Sequence, residues 1–336
     1  MYTFRSVLYL ACLALACGGA VGRNTAPSGA LIVGKTGHYS TIQKAVNALS
    51  TSSSSAQSIF IQPGTYQEQV YIQKLAGPLT IYGSTSEASS YTDNQVTITA
   101  SHALSGESND DATATLRVWT SNFKMYNVNV KNTYGYAAKN GQALALSASA
   151  KDQGYYGCGF YGYQDTVLAE TGTQLYAKCY LEGSVDFIFG QTAQAWFDSC
   201  HIGVLATSSY GTVTASGRTS ADSGYYVINN STIAAASGQS VAKGSYYLGR
   251  PWGDYARVIF QLTSMTNVVN PAGWIEWSSS SPQTDHVTFG EYDDSGDGAK
   301  GTRASFATKL SQPVSITQVL GSGYEGASWV DTSYIS

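Results

Sequence analysis

Three cysteines, Cys158, Cys179 and Cys200, stand 21 residues apart and open related short units, Cys158-Gly-Phe-Tyr-Gly162, Cys179-Tyr-Leu-Glu-Gly183 and Cys200-His-Ile-Gly203. A constant step in the low twenties, with one sulfur at a fixed phase, is the mark of a coiled sheet with one coil per repeat. Residues one step apart then lie on adjacent parallel strands, about 4.8 Å apart. Two aspartates follow the same step, each seven residues after a cysteine: Asp165 in Tyr163-Gln-Asp-Thr166, and Asp186 in Gly183-Ser-Val-Asp-Phe-Ile-Phe-Gly190. The coil therefore puts two carboxylates side by side on one face. Gln142 lies one step before Tyr163, which brings it next to Gln164.

Composition agrees with an all-β solenoid. Of 336 residues, 43% are apolar, enough for a long core, and only 12% are charged, about half the usual share. The 35 glycines and 25 tyrosines suit short strands and tight turns better than helices. No compositional break marks a second domain, so residues 23–336 are expected to form one domain. Short apolar runs recur from 30–33 through 257–260, whereas 208–217 and 234–244 read as loops leaving the stack. Ile42, Ala45, Val46 and Leu49 recur at helical spacing behind Ser40 or Thr41, which predicts a helix over 40–49 capping the N-terminal end. After about residue 290 the pattern returns to a tail, with a short helix near 305–310.

Residues 1–22 have the form of a secretory signal: Arg5, an apolar run from Val7 to Cys17, and small residues around Gly18–Gly22. That run is too short for a membrane anchor, and no later stretch is long and apolar enough to span a bilayer. A secreted chain with no membrane attachment is the expectation. Cys12 and Cys17 leave with the signal. Secretion permits a disulfide, and the 21-residue step makes Cys158–Cys179 and Cys179–Cys200 equally close; the pairing expected is Cys179–Cys200, with one cysteine left over. Asn229-Asn-Ser231 and Asn230-Ser-Thr232 are overlapping glycosylation sequons, of which one is expected to be used. A net charge of −4 gives a nucleic acid no basic surface to meet. His38, His102, His201 and His286 show no metal-ligand spacing, so neither a metal nor a cofactor is expected.

A lone aspartate at such a phase is most often a turn former. The surroundings of this pair point further. Asp186 sits in the apolar run Val185–Phe189, a setting a charge avoids unless compensated, and Asp165 follows a run of aromatic residues. Two close carboxyls cannot both ionise easily, so one must hold its proton. Arg250, in Leu248-Gly-Arg-Pro-Trp252, is the candidate cation to keep the other anionic. One acid and one anionic nucleophile are what acyl transfer or glycoside cleavage requires.

Five motifs in order, Gly64-Thr-Tyr-Gln-Glu68, Gly141-Gln-Ala-Leu-Ala145, Tyr163-Gln-Asp-Thr166, Gly183–Gly190 and Leu248-Gly-Arg-Pro-Trp252, resemble those of the pectin methylesterases, and most of all the secreted fungal-type enzymes without a pro-domain. The resemblance spans roughly residues 30 to 336. It implies a right-handed parallel β-helix, a methyl-esterified pectin substrate and a monomer. It also implies Asp186 as nucleophile, Asp165 as acid and then base, Gln142 and Gln164 as oxyanion donors, and Arg250 as the partner of Asp186. Trp252, Phe189 and Tyr163 would contact sugar rings. Gly64–Glu68 has a sufficient structural reading as a turn with a polar ladder. Val167 replaces the leucine common after Gln-Asp-Thr, a conservative change. No Gly-x-Ser-x-Gly turn supports a serine esterase. A polygalacturonase, a pectate lyase or a non-catalytic wall-binding solenoid would leave the two glutamines unexplained.

Overall fold

Parallel pairing dominates the computed structural model, which describes residues 22–336; the expected signal over 1–22 lies outside these residues except for its last position. Three sheets of 11, 8 and 7 strands run side by side, and each complete coil contributes one strand to each in turn. One coil runs Gln153–Tyr156, Gly159–Tyr161, Val167–Ala169, and the next runs Thr171–Ala177, Tyr180–Gly183, Ile188–Gly190. This is a parallel β-helix. The 21-residue step is the observed register: Gln153 pairs Gln174, Gly159 pairs Tyr180, and Val167 pairs Ile188.

The step repeats because identical phases do identical structural work. Five successive coils leave the 11-stranded sheet through a left-handed residue, Asn127, Gly157, Lys178, Ser199 or Asn230. The next side chain points inward, giving an internal ladder of Val128, Cys158, Cys179, Cys200 and Ser231, all buried. Inside the core Tyr155, Tyr176 and Phe197 stack at 4.9 and 4.5 Å, the rung spacing made visible in rings. Their two hydroxyls donate to Gln153 and Gln174, so burial leaves no phenol unpaired.

The cysteines correct the expected Cys179–Cys200 bridge: all three are free, buried thiols. Cys179 Sγ lies 3.3 Å from the Tyr155 carbonyl oxygen, and Cys200 Sγ lies 3.3 Å from that of Tyr176. Parallel strands in register carry parallel Cα–Cβ bonds, which hold the Cβ atoms near the rung spacing instead of the roughly 3.8 Å a disulfide needs. Burial pushes the Cys179 thiol well above its usual value, so it is inert. A thiol reagent should therefore find no reactive cysteine in the native chain from residue 23 onward, and three after denaturation without reductant. Recovery of only one thiol would restore the bridge.

The N-terminal helix is Ile42–Asn47, with Ile42, Ala45 and Val46 buried in the main core. Thr41 is its N-cap, accepting from the Lys44 amide, and the Glu68 carboxylate accepts from the Ile42 and Gln43 amides. A carboxylate on these free N–H groups also meets the positive end of the helix. Glu68 thus has a structural purpose, but the turn expected over Gly64–Glu68 is instead the strand Gly64–Gln67, paired with Val96–Ala100.

Two further expectations fail. The presumed loop 208–217 contains the strand Gly211–Ser216, paired with Ile188–Gly190 and with Tyr246–Pro251. The presumed tail adds strands Thr288–Tyr292 and Ala307–Lys309 to the 11-stranded sheet, and the short helix is Ile316–Leu320, not 305–310. That helix and the residues after it cover the outer face of the sheet, where Val319, Leu320, Trp329 and Tyr334 pack on Tyr126, Tyr156, Leu175 and Trp196. The apolar outer face explains the wrap, since left bare it would expose a large patch. Of the two sequons, Asn229 is buried and bonded to Asp198 and Gln261, whereas Asn230 is exposed.

Candidate active site

The site lies on the outer face of the seven-stranded sheet, whose strands include Val167–Ala169, Ile188–Gly190, Gly211–Ser216 and Tyr246–Pro251. Asp165 and Asp186 stand at equivalent turns just before two of these strands, bracketed by the pairs Gln164 with Val185 and Val167 with Ile188. Both adopt the left-handed conformation, at φ 60° and 49°. Aspartate tolerates this region better than most residues. The turn tips both carboxyls out of the strand direction and into one cavity of about 250 Å³. They are turn formers and cavity liners at once.

Their environments differ sharply. Asp186, 6% exposed, is gripped by Arg250: Nε lies 2.9 Å from Oδ1 and Nη2 lies 2.6 Å from Oδ2. Thr212 Oγ1 donates to the same Oδ1 at 2.6 Å and accepts from the Asp186 amide at 3.0 Å. A guanidinium fork plus a hydroxyl donor suits a carboxylate, which only accepts. For Arg250, burial works against the charge, but the bonds to Asp186 outweigh it and hold the guanidinium above its usual value.

Asp165, 7% exposed, has no such partner: its Oδ1 is buried and makes no hydrogen bond. Burial pushes this carboxyl well above the usual carboxylate range; Asp186 and Asp110 push the same way, against Arg250. The two acids thus stand in unlike settings, one gripped by a cation and the other raised by burial and by its acidic neighbours.

Gln142 and Gln164 both end in the cavity. They are neighbours as the step predicted, since the Ala143 amide donates to the Gln164 carbonyl at 3.1 Å. Gly141 leaves the Gln164 side-chain amide room, since a Cβ on it would press on the Ala137 carbonyl oxygen at 3.0 Å and on Gln164 Oε1 at 3.1 Å. Gln142 Oε1 is buried without a partner, and its two-fold terminal torsion lets it present the NH₂ group instead. Trp252 and Phe189 form one wall, with ring centres 6.3 Å apart. The Trp252 indole lies over Gly217, where a Cβ would come within 2.4 Å of the ring. Tyr163 does not line the cavity; it meets the exposed Tyr136 edge to face at 5.6 Å.

Four residues escaped sequence reading. Thr212 and Ala215 sit on the strand mistaken for a loop. Ala215 pairs with Phe189 on one side and Arg250 on the other, and its small side chain lets the guanidinium reach across the intervening rung to Asp186. Trp277 faces the cavity with Arg250 held 4.4 Å over its ring, a cation–π contact. Asp110 lines the cavity from the helix Asp110–Thr113. The pair Trp274 and Trp277, two of only six tryptophans, was a usable signal; Asp110 offered none.

Comparison with known proteins shows the family. The family model described as Pectinesterase matches residues 31–312. A pectinesterase of Aspergillus aculeatus is 56% identical over 321 residues, covering 94% of this chain and 95% of that protein. Among solved structures, the deglycosylated pectin methylesterase from Aspergillus niger is similar with a TM-score of 0.86 at 42% identity, covering 94% of this chain and 100% of that one. The pectin methylesterase from carrot gives 0.80 at 28% identity, covering 93% of this chain and 100% of that one.

Proposed function

The chain is an esterase belonging to the pectinesterase family, and from that premise we propose that it hydrolyses methyl esters of galacturonate in pectin through Asp186 and Asp165. In this reading Asp186 attacks the ester carbonyl, and the Gln142 and Gln164 amides donate to the oxyanion. Donors of this kind contribute roughly 3–4 kcal/mol each. Asp165 protonates the departing methoxy oxygen, giving methanol and an acyl-enzyme. It then takes a proton from water, whose oxygen attacks the acyl carbon and releases the carboxylate with Asp186 restored. Arg250 holds Asp186 in place throughout. Trp252, Phe189 and Trp277 offer stacking surfaces to sugar rings, and Tyr163 with Tyr136 does so outside the cavity.

The observation that carries the reading is the asymmetry of the pair: Arg250 grips Asp186 at 2.6 Å, while Asp165 has a buried oxygen without a partner. The reading extends to a secreted monomer of one domain over residues 23–336, acting on plant cell-wall pectin and carrying a glycan on the exposed Asn230.

Highly methylated pectin should consume alkali and release methanol in equal amounts, with the polymer length unchanged. Shortening of the polymer would instead mark a glycosidase or lyase. The pH profile carries a sign. Asp165 acts as an acid only while protonated, and its carboxyl is held well above the usual range. Activity should thus persist through the pH where ordinary carboxyls ionise, about 4, and decline only as pH rises through the raised value of Asp165. A decline beginning at about 4 would remove Asp165 from the acid role.

A further inference from the structure

We propose that Asp110 discriminates against the product: its carboxylate, aimed into the cavity beside Asp165 and Asp186, disfavours galacturonate while leaving the neutral methyl ester unaffected. The inference rests on the pectin-esterase reading above and adds a residue and a specificity to it.

Two adjacent acids with opposite fates carry the argument. Asp111 is fully committed, accepting from Arg117 Nε at 2.9 Å, from Trp119 Nε1 at 3.0 Å and from Ser147 Oγ at 2.7 Å. These bonds pin the helix Asp110–Thr113 to the sheet. Asp110 beside it lines the cavity, and its Oδ1 is buried with no hydrogen-bond partner. A buried polar atom left unpaired in a folded protein calls for an explanation outside the fold. The place of Asp110 in the first turn of the helix suits an acid, but does not require this oxygen to end unpaired in the cavity.

The charge balance of the cavity supplies an explanation. Among the described residues lining it stand three carboxyls, Asp110, Asp165 and Asp186, and one cation, Arg250, already committed to Asp186. The methyl ester enters neutral. Hydrolysis consumes water, releases methanol and a proton, and leaves a new carboxylate in that enclosure with no cation to receive it. Like charges in a low-dielectric cavity repel far more than in water. Specificity of this kind comes from a penalty on the wrong ligand, not from contacts with the right one.

The groups facing Asp110 define the pH dependence. These are Asp165, Asp186 and Arg250 across the cavity, Glu170 near the end of the adjoining strand, and the Asp111–Arg117 pair at its own base. Burial raises the Asp110 carboxyl above its ordinary value, and burial also raises Glu170, to about 7. The penalty is therefore present once the pH exceeds the raised value of Asp110 and fades in acid, as Asp110 takes up its proton.

The test is competitive inhibition of methanol release by fully de-esterified oligogalacturonate. Relative to the wild type, Asp110→Asn should bind this inhibitor about tenfold more tightly at a pH where Asp110 is ionised, a larger change than any in the KM for highly methylated pectin. The gap should close in acid. Asp110→Glu restores the charge and should keep the wild-type inhibition constant, which a merely structural role would not predict. Asp110→Ser serves as a second neutral variant if the asparagine protein fails to fold. Methanol release by the wild type together with unchanged inhibition in both neutral variants overturns the inference and leaves the esterase reading standing. Absence of methanol release by the wild type overturns the esterase reading instead.

Discussion

Asp186→Asn should lower methanol release by roughly 10⁴-fold or more, with the fold intact. The size follows from the kind of group removed. When a nucleophile is deleted, what survives is the catalysis supplied by binding and oxyanion donors, and losses of this order are usual. The native fold should still form, because asparagine matches aspartate in shape, tolerates the left-handed backbone at this turn, and keeps an amide oxygen for Thr212 and Arg250. The unfolding midpoint should fall, because Arg250 loses its counter-charge. The variant separates chemistry from architecture. Single-turnover methanol release measures the first, and thermal unfolding followed by circular dichroism measures the second. An asparagine protein that folds and still turns over within tenfold of the wild type would remove Asp186 from the nucleophile's place.

Arg250→Met should fail in a different way, losing stability as well as activity. The side chain it replaces is the one cation among the described residues lining the cavity, and it bonds both oxygens of a buried carboxylate. Removing one partner of a buried pair leaves the other charge unpaired in a poor dielectric, at a cost of about 3–5 kcal/mol. Denaturant midpoints for wild type and variant test this. A deficit well below that range would mean that Arg250 is not what balances Asp186. Arg250→Lys keeps the charge but not the fork, so it should recover stability more than activity.

Where the coil length stays constant, reading the chain worked well. Between residues 146 and 204 paired residues are always 21 positions apart, so counting brought Asp165 to Asp186 and, just ahead of that stretch, set Gln142 opposite Tyr163 and next to Gln164. Beyond that stretch counting fails. Ile188 pairs with Thr214, His201 with Thr232, and Thr214 with Gly249, because loops of unequal length interrupt successive coils. The strand Gly211–Ser216 was lost in that irregularity, and Thr212 and Ala215 were lost with it. The C-terminal wrap was missed for a related reason: its apolar residues are spaced to fit tyrosines and tryptophans on another sheet's outer face, not to any period of their own.

The sequence by itself therefore determined the parallel coil, the seat of the two acids on it, and the adjacency of the two glutamines, since a repeat converts distance along the chain into distance in space. Only the tertiary structure decided which acid is gripped by a cation, how Arg250 passes Ala215 to reach Asp186, that Trp277 and Asp110 close the cavity, and that the cysteines stand as separate thiols. Each of those depends on side-chain direction and reach between coils of unequal length, quantities that exist only once the chain has wound and packed.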